Sequence, residues 1–172
     1  MAETGIYLAL QKTLGPIAFP PVVLCIGSDL AVGDSLGPIS GTMLLNRQNS
    51  FRGYVYGTLK SPITAKEARY IASFLRRTHP HTKIIAVDAA VGAECDVGLI
   101  KVVSGPIQPG AGVNKTLPAI GDVSILGIVA KKSPLTYALF NLTRMNVVYS
   151  MAEIITNSIQ FLTNEICEKQ SV

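Results

Sequence analysis

The stretch Val22-Val23-Leu24-Cys25-Ile26-Gly27-Ser28-Asp29-Leu30-Ala31-Val32-Gly33-Asp34-Ser35-Leu36-Gly37-Pro38 decides how this chain is read. Its first five residues are a continuous, largely β-branched apolar run, the pattern of a strand buried on both faces. A loop follows, and Gly37-Pro38 opens a helix through about Arg47, with proline near its first turn. In open α/β sheets, chemistry gathers beyond the carboxyl ends of the strands. Asp34 stands in the loop at that end. Asp88 ends a second apolar run, Lys83-Ile84-Ile85-Ala86-Val87-Asp88-Ala89-Ala90. Two such strands side by side present two carboxylates to one crevice, and paired carboxylates can share a proton. The competing reading is that each aspartate caps a following helix, a role for which Asp is favoured.

Outward from this unit, strands alternate with helices. Residues 1–20 read as a short N-terminal helix or arm with a proline-bounded turn. Arg52 to Thr58 reads as a second strand, and Thr64 with Glu67 fits a capping box before a helix from Ala65 to about Arg77. Lys83 to Val87 is a third strand, Asp96 to Val103 a fourth, and Asp122 to Ala130 a fifth. A closing helix, about Arg144 to Glu168, repeats apolar residues near a 3.6 period. This alternation predicts a three-layer α/β/α sandwich with a mostly parallel central sheet and right-handed connections. The 172 residues form a single α/β domain, without repeat or linker.

Composition narrows the function. The chain is 48% hydrophobic and 15% charged, which excludes disorder. Its net charge of +4 is dispersed, with Arg76-Arg77 and Lys131-Lys132 the densest points, and it has no tryptophan. Neither a nucleic-acid footprint nor a base-stacking platform is expected. No segment reads as a signal peptide or membrane span, so a cytoplasmic protein is expected. Cys25, Cys95 and Cys167 stand far apart, without the spacing of a zinc site or a disulfide framework.

Other chemistries fit less well. The glycine-bearing loop has neither GxGxxG nor a lysine for phosphate, and its acids would repel phosphate. A metal site would draw on Asp34, Asp88 and either His79 or His81. Both histidines precede the third strand, though, and at about 3.3 Å per residue they fall at the opposite sheet edge from Asp88. GxSxG is missing, so a serine nucleophile has no support. Ser104 to Val113 forms a Gly/Pro-rich loop expected near the two acids, and such loops often carry function. Ser28, Asp29 and the backbone at Gly110 and Gly112 are expected to orient water or bind the substrate strand.

Three ordered blocks resemble the germination protease of spore-forming bacteria. They are Ile26-Gly27-Ser28 with Gly33-Asp34-Ser35-Leu36-Gly37-Pro38, then Ala86-Val87-Asp88-Ala89, then Ile107-Gln108-Pro109-Gly110-Ala111-Gly112-Val113. The resemblance is closest to the short sporulation proteins of the YyaC type, and more distant to hydrogenase maturation endopeptidases. It implies that Asp34 and Asp88 are catalytic acids of a sporulation-associated peptidase. It also implies a protein or peptide substrate, among them spore proteins, and a forespore or spore-core location. In the hydrogenase-type relatives, acids at these places bind metal with a later histidine, and this chain has no histidine after His81. No metal or cofactor is therefore expected. The alternative is a non-catalytic sporulation protein that binds a peptide or protein partner in the same crevice. A homo-oligomer stays open, as do the individual roles of the two acids.

Overall fold

Every side chain of β1 (Val22–Cys25) is buried, because the strand lies inside the sheet with helices on both faces. The computed structural model describes residues 2–47, 51–107, 119–133 and 136–169. Ahead of β1 lies α1 (Ala2–Leu14). After it come a 3-10 turn (Val32–Ser35), α2 (Leu36–Asn46), β2 (Tyr54–Tyr56), α3 (Ala68–Thr78) and β3 (Ile84–Gly92). A second 3-10 turn (Glu94–Asp96) leads to β4 (Ile100–Ser104), β5 (Val123–Lys131), α4 (Thr136–Leu142) and α5 (Met145–Lys169).

The five strands run in the order β2-β1-β3-β5-β4. All neighbours are parallel except β4, which pairs antiparallel with β5. The period-2 alternation of a strand divides the core between two faces. Val23, Cys25, Ile85 and Val87 pack into the cluster that holds α1, α2 and α5. Val22, Leu24, Ile84 and Ala86 pack with Leu75 of α3. On α5, buried Val148, Met151, Ile155, Ile159, Leu162 and Ile166 follow the 3.6 period read in the sequence.

The smaller core cluster, under α3, is bordered by a polar clamp. Asp122 Oδ2 accepts the Ile84 N–H at 2.8 Å, and Arg76 reaches Asp122 Oδ1 at 3.2 Å. Removing the carboxylate leaves the Ile84 amide without this partner. Asp122→Ala should therefore cost about 1–3 kcal/mol, read by chemical denaturation. An unchanged midpoint would show that the clamp is dispensable.

Several elements differ from their sequence expectation. The second strand shrinks to Tyr54–Tyr56. Thr64 and Glu67 do pair, the Thr64 N–H and hydroxyl both donating to Glu67 Oε2. They close a separate turn, however, and the helix begins only at Ala68. The fourth strand starts at Ile100 rather than Asp96, because residues 94–96 form the 3-10 turn and Gly98 adopts φ +99°. Its antiparallel direction follows from the short link of residues 93–99, since a parallel crossover needs a dozen or more. Helix α4, unread in the sequence, has seven residues, too short for its periodicity to stand out.

Candidate active site

The chain leaves β1 through α2 to β2 on one side, then returns through α3 to β3 on the other. The sheet's topological switch point therefore lies between β1 and β3, where crevices form beyond the carboxyl ends. Asp34 lies in the 3-10 turn after β1, and Asp88 lies on β3. Asp88 does not end its strand, as the apolar run suggested. β3 continues to Gly92 because β5 accompanies it, with Asp88 opposite Leu126 and Gly92 opposite Lys131. It is β1 that stops, at Cys25 opposite Val87. Asp88 is thus the first residue of β3 past the paired end of β1, and the loop after β1 fills that flank.

Glycines allow the loop to lie there. A Cβ on Gly27, at φ +145°, would run into the main-chain oxygen of Asp34. That same oxygen accepts the Ser28 N–H at 3.0 Å, so the loop folds back on its own start. A Cβ on Gly37 would strike the main-chain oxygen of Ile26, so the first turn of α2 is seated directly on the end of β1. On the far side, Gly33 abuts Phe140 of α4 and the Thr143 hydroxyl, where a Cβ would lie 2.9 and 3.0 Å from them. The sequence carried no sign of this support, because α4 itself was not legible.

Capping accounts for neither aspartate. The N-cap residue of α2 is Ser35, with no side-chain cap hydrogen bond, and Asp88 lies within a strand. Both carboxyls are held away from water. Burial raises the Asp34 carboxyl to about 6, against the opposing pull of the Ser28 amide. Burial raises Asp88 well above the usual carboxylate range, and the charge of Asp34 raises it further. The Ala89 N–H, which donates to Asp88 Oδ1 at 2.8 Å, pulls weakly the other way. Burial thus raises both carboxyls, and the charge of Asp34 reaches Asp88.

The other expected site residues fare differently. Ser28 is buried beside Asp34, but its Oγ accepts the Leu30 N–H at 3.1 Å and so helps shape the loop. Asp29 is exposed on the same loop. Gly110 and Gly112 lie outside the described residues, as does most of the loop that carries them. His79 lies against edge strand β2, its ring nitrogen 2.8 Å from Tyr56 Oη. Among the described residues, no three His, Cys, Asp or Glu side chains gather into a metal-binding group. No helix there is long and apolar enough to cross a membrane.

The sequence profile of a family described as "protein of unknown function (DUF1256)" matches residues 1–158. The uncharacterized protein YyaC of Bacillus subtilis (strain 168) is 38% identical over 157 residues, 91% of this chain and 75% of that protein. Among solved structures, the NiFe hydrogenase maturation protease HycI from Thermococcus kodakarensis KOD1 superposes with a TM-score of 0.56 at 16% identity. The alignment covers 90% of this chain and 97% of that one. A point mutant of peptidyl-tRNA hydrolase from Acinetobacter baumannii superposes with a TM-score of 0.57 at 9% identity, covering 91% and 95%. At these identities the structures share the α/β/α fold, and a shared fold does not carry a reaction with it.

Proposed function

The chain belongs to the DUF1256 family, and from the geometry of its acid pair we propose that it is a peptidase using Asp34 and Asp88. One observation carries the reading: at the sheet's switch point burial raises both aspartates, the charge of Asp34 raises Asp88 further, and neither is a helix cap. Such a pair retains one proton under conditions where isolated carboxylates hold none. Asp88, more deeply buried and facing the charge of Asp34, keeps that proton. Asp34 is ionised above about 6 and takes a proton from water, whose oxygen attacks the amide carbon. Asp88 gives its proton to the substrate, and the C–N bond breaks with the amine leaving protonated. The proton gained by Asp34 then passes back to Asp88, which restores the pair.

We take the setting to be sporulation and the substrate to be a spore protein, on the resemblance of the three sequence blocks to the germination protease. The non-catalytic alternative keeps the crevice as a peptide-binding site.

The pH profile of cleavage tests the mechanism. With protein substrates, kcat/KM should rise as Asp34 ionises near pH 6 and fall at higher pH, as Asp88 loses its proton. Because the pair is coupled, the two limbs report the pair rather than each residue alone. A rate that stays flat down to pH 4 would rule out Asp34 as the base.

A further inference from the structure

We propose that the outer face of α3 and the edge strand β2 form a docking surface for an acidic polypeptide segment of a partner protein. The surface stands apart from the acid pair, and it serves a peptidase and a binding protein alike.

The excess positive charge of the chain belongs to this unit. Residues 51–83 hold seven of the fifteen Lys and Arg residues and one of the eleven Asp and Glu. The rest of the chain has eight and ten, so its own balance is slightly acidic. Glu67, the single acid, is occupied by the Thr64 hydroxyl and N–H. Arg76 is taken up by Asp122. Arg52, Lys60, Lys66 and Arg77 are exposed and enter no ion pair among the described residues.

Between these cations runs a row of aromatic rings. Tyr54 and Tyr56 share one face of β2 by the alternation of a strand. His79, just past α3, packs against both, with ring centroids 4.6 and 5.8 Å away. Phe74 meets Tyr56 edge-on at 6.0 Å, and Tyr70 lies one turn before Phe74 on the same stripe of α3. Arg77 continues that stripe into the last turn. Tyr70 is 74% exposed, Tyr54 61% and Phe74 42%. A helix stripe that faces only water normally carries polar residues. Aromatic residues with arginine are instead the composition enriched where proteins meet partners.

The layout suits an extended acidic segment. The Tyr54–His79 contact sets the last turn of α3 beside the start of β2, so Arg52 and Arg77 flank that end of the row. Lys60 and Lys66, in the turns between β2 and α3, flank the other. Eleven helical residues span about 16 Å, the length of about five extended residues. Carboxylates at both ends and an apolar side chain between them would match the row and its cations. Two features favour polypeptide over nucleic acid. The rings close on one another at 44–74° rather than offering parallel faces on which bases stack. In addition, β2 is the outermost strand of the sheet, and edge strands receive extended polypeptide.

Random peptides displayed on phage and selected on the full chain test the proposal. The expected result is enrichment of sequences with Asp or Glu on both sides of a large apolar or aromatic residue. Fluorescent copies of the recovered peptides should bind about tenfold more weakly to Arg77→Glu and to Tyr70→Ser. Their affinity for the wild type should also fall as salt is raised. Lys12→Glu on α1 makes the same change in net charge away from the surface and should leave the affinity unchanged. All three positions are exposed, and thermal melting checks that each variant folds. Recovered peptides without acidic enrichment, or an affinity untouched by Arg77→Glu and Tyr70→Ser, overturn the proposal. An equal loss in Lys12→Glu does so too, since net charge alone would then explain the binding. Oligothymidylate that binds more tightly than the peptides, and loses its affinity in Arg77→Glu and Tyr70→Ser, would overturn it in favour of a nucleic-acid surface.

Discussion

Asp34→Asn and Asp88→Asn should each lower the rate of peptide cleavage by about 10²–10⁴-fold, the usual contribution of a positioned acid or base. The fold should survive, because Asn is isosteric and its side-chain oxygen can still accept the Ala89 N–H that Asp88 now accepts. Stability provides a second readout with a definite sign. A carboxyl whose pKa is raised by folding favours the folded state at low pH, and that contribution is lost as pH rises through the folded value. For Asp34 the loss runs from about 4 to about 6, and for Asp88 it extends higher. Asp88→Asn should therefore be more stable than the wild type at pH 8, with a difference that shrinks or reverses toward pH 4. Melting curves across that range check it. Either variant cutting at the wild-type rate would end the two-aspartate mechanism and leave the crevice as a binding site.

Gly37→Ala should be among the most damaging small substitutions in the chain. The new Cβ would collide with the main-chain oxygen of Ile26, and neither α2 nor β1 can move without disturbing the buried layer around them. Overpacking of this kind costs about 3 kcal/mol at the upper end of its usual range. In a domain of this size that lowers the melting temperature by roughly 6–12 °C. Gly5→Ala in α1 is the control, since nothing lies within 4 Å of its added Cβ. It should stabilise by about 0.5–1 kcal/mol through helix propensity. A Gly37→Ala protein that melts with the wild type would mean that α2 does not sit on β1 as described. Because Gly37 also sets the start of α2 behind Asp34, the same variant should lose activity along with stability, unlike the two Asn variants.

These predictions draw on two kinds of information. The layers of the fold were legible in the sequence. Runs such as Val22 to Ile26 and Ile84 to Val87 are apolar on successive residues, which only a strand covered on both faces tolerates. The long α5 showed its buried stripe because a helix of 25 residues repeats its period many times. Both aspartates were also visible, Asp34 in the loop after one apolar run and Asp88 directly after another. What the sequence left open was whether they cap helices or face each other. That depended on strand lengths: β3 outruns β1 because β5 is there to pair with it, and pairing partners are a non-local matter. The raised carboxyl of Asp88 likewise comes from burial and from Asp34, 54 positions away in the chain. Short α4 had no local signature. Seven helical residues show too little periodicity for the helix to stand out, and its place against Gly33 is set only when the chain has folded.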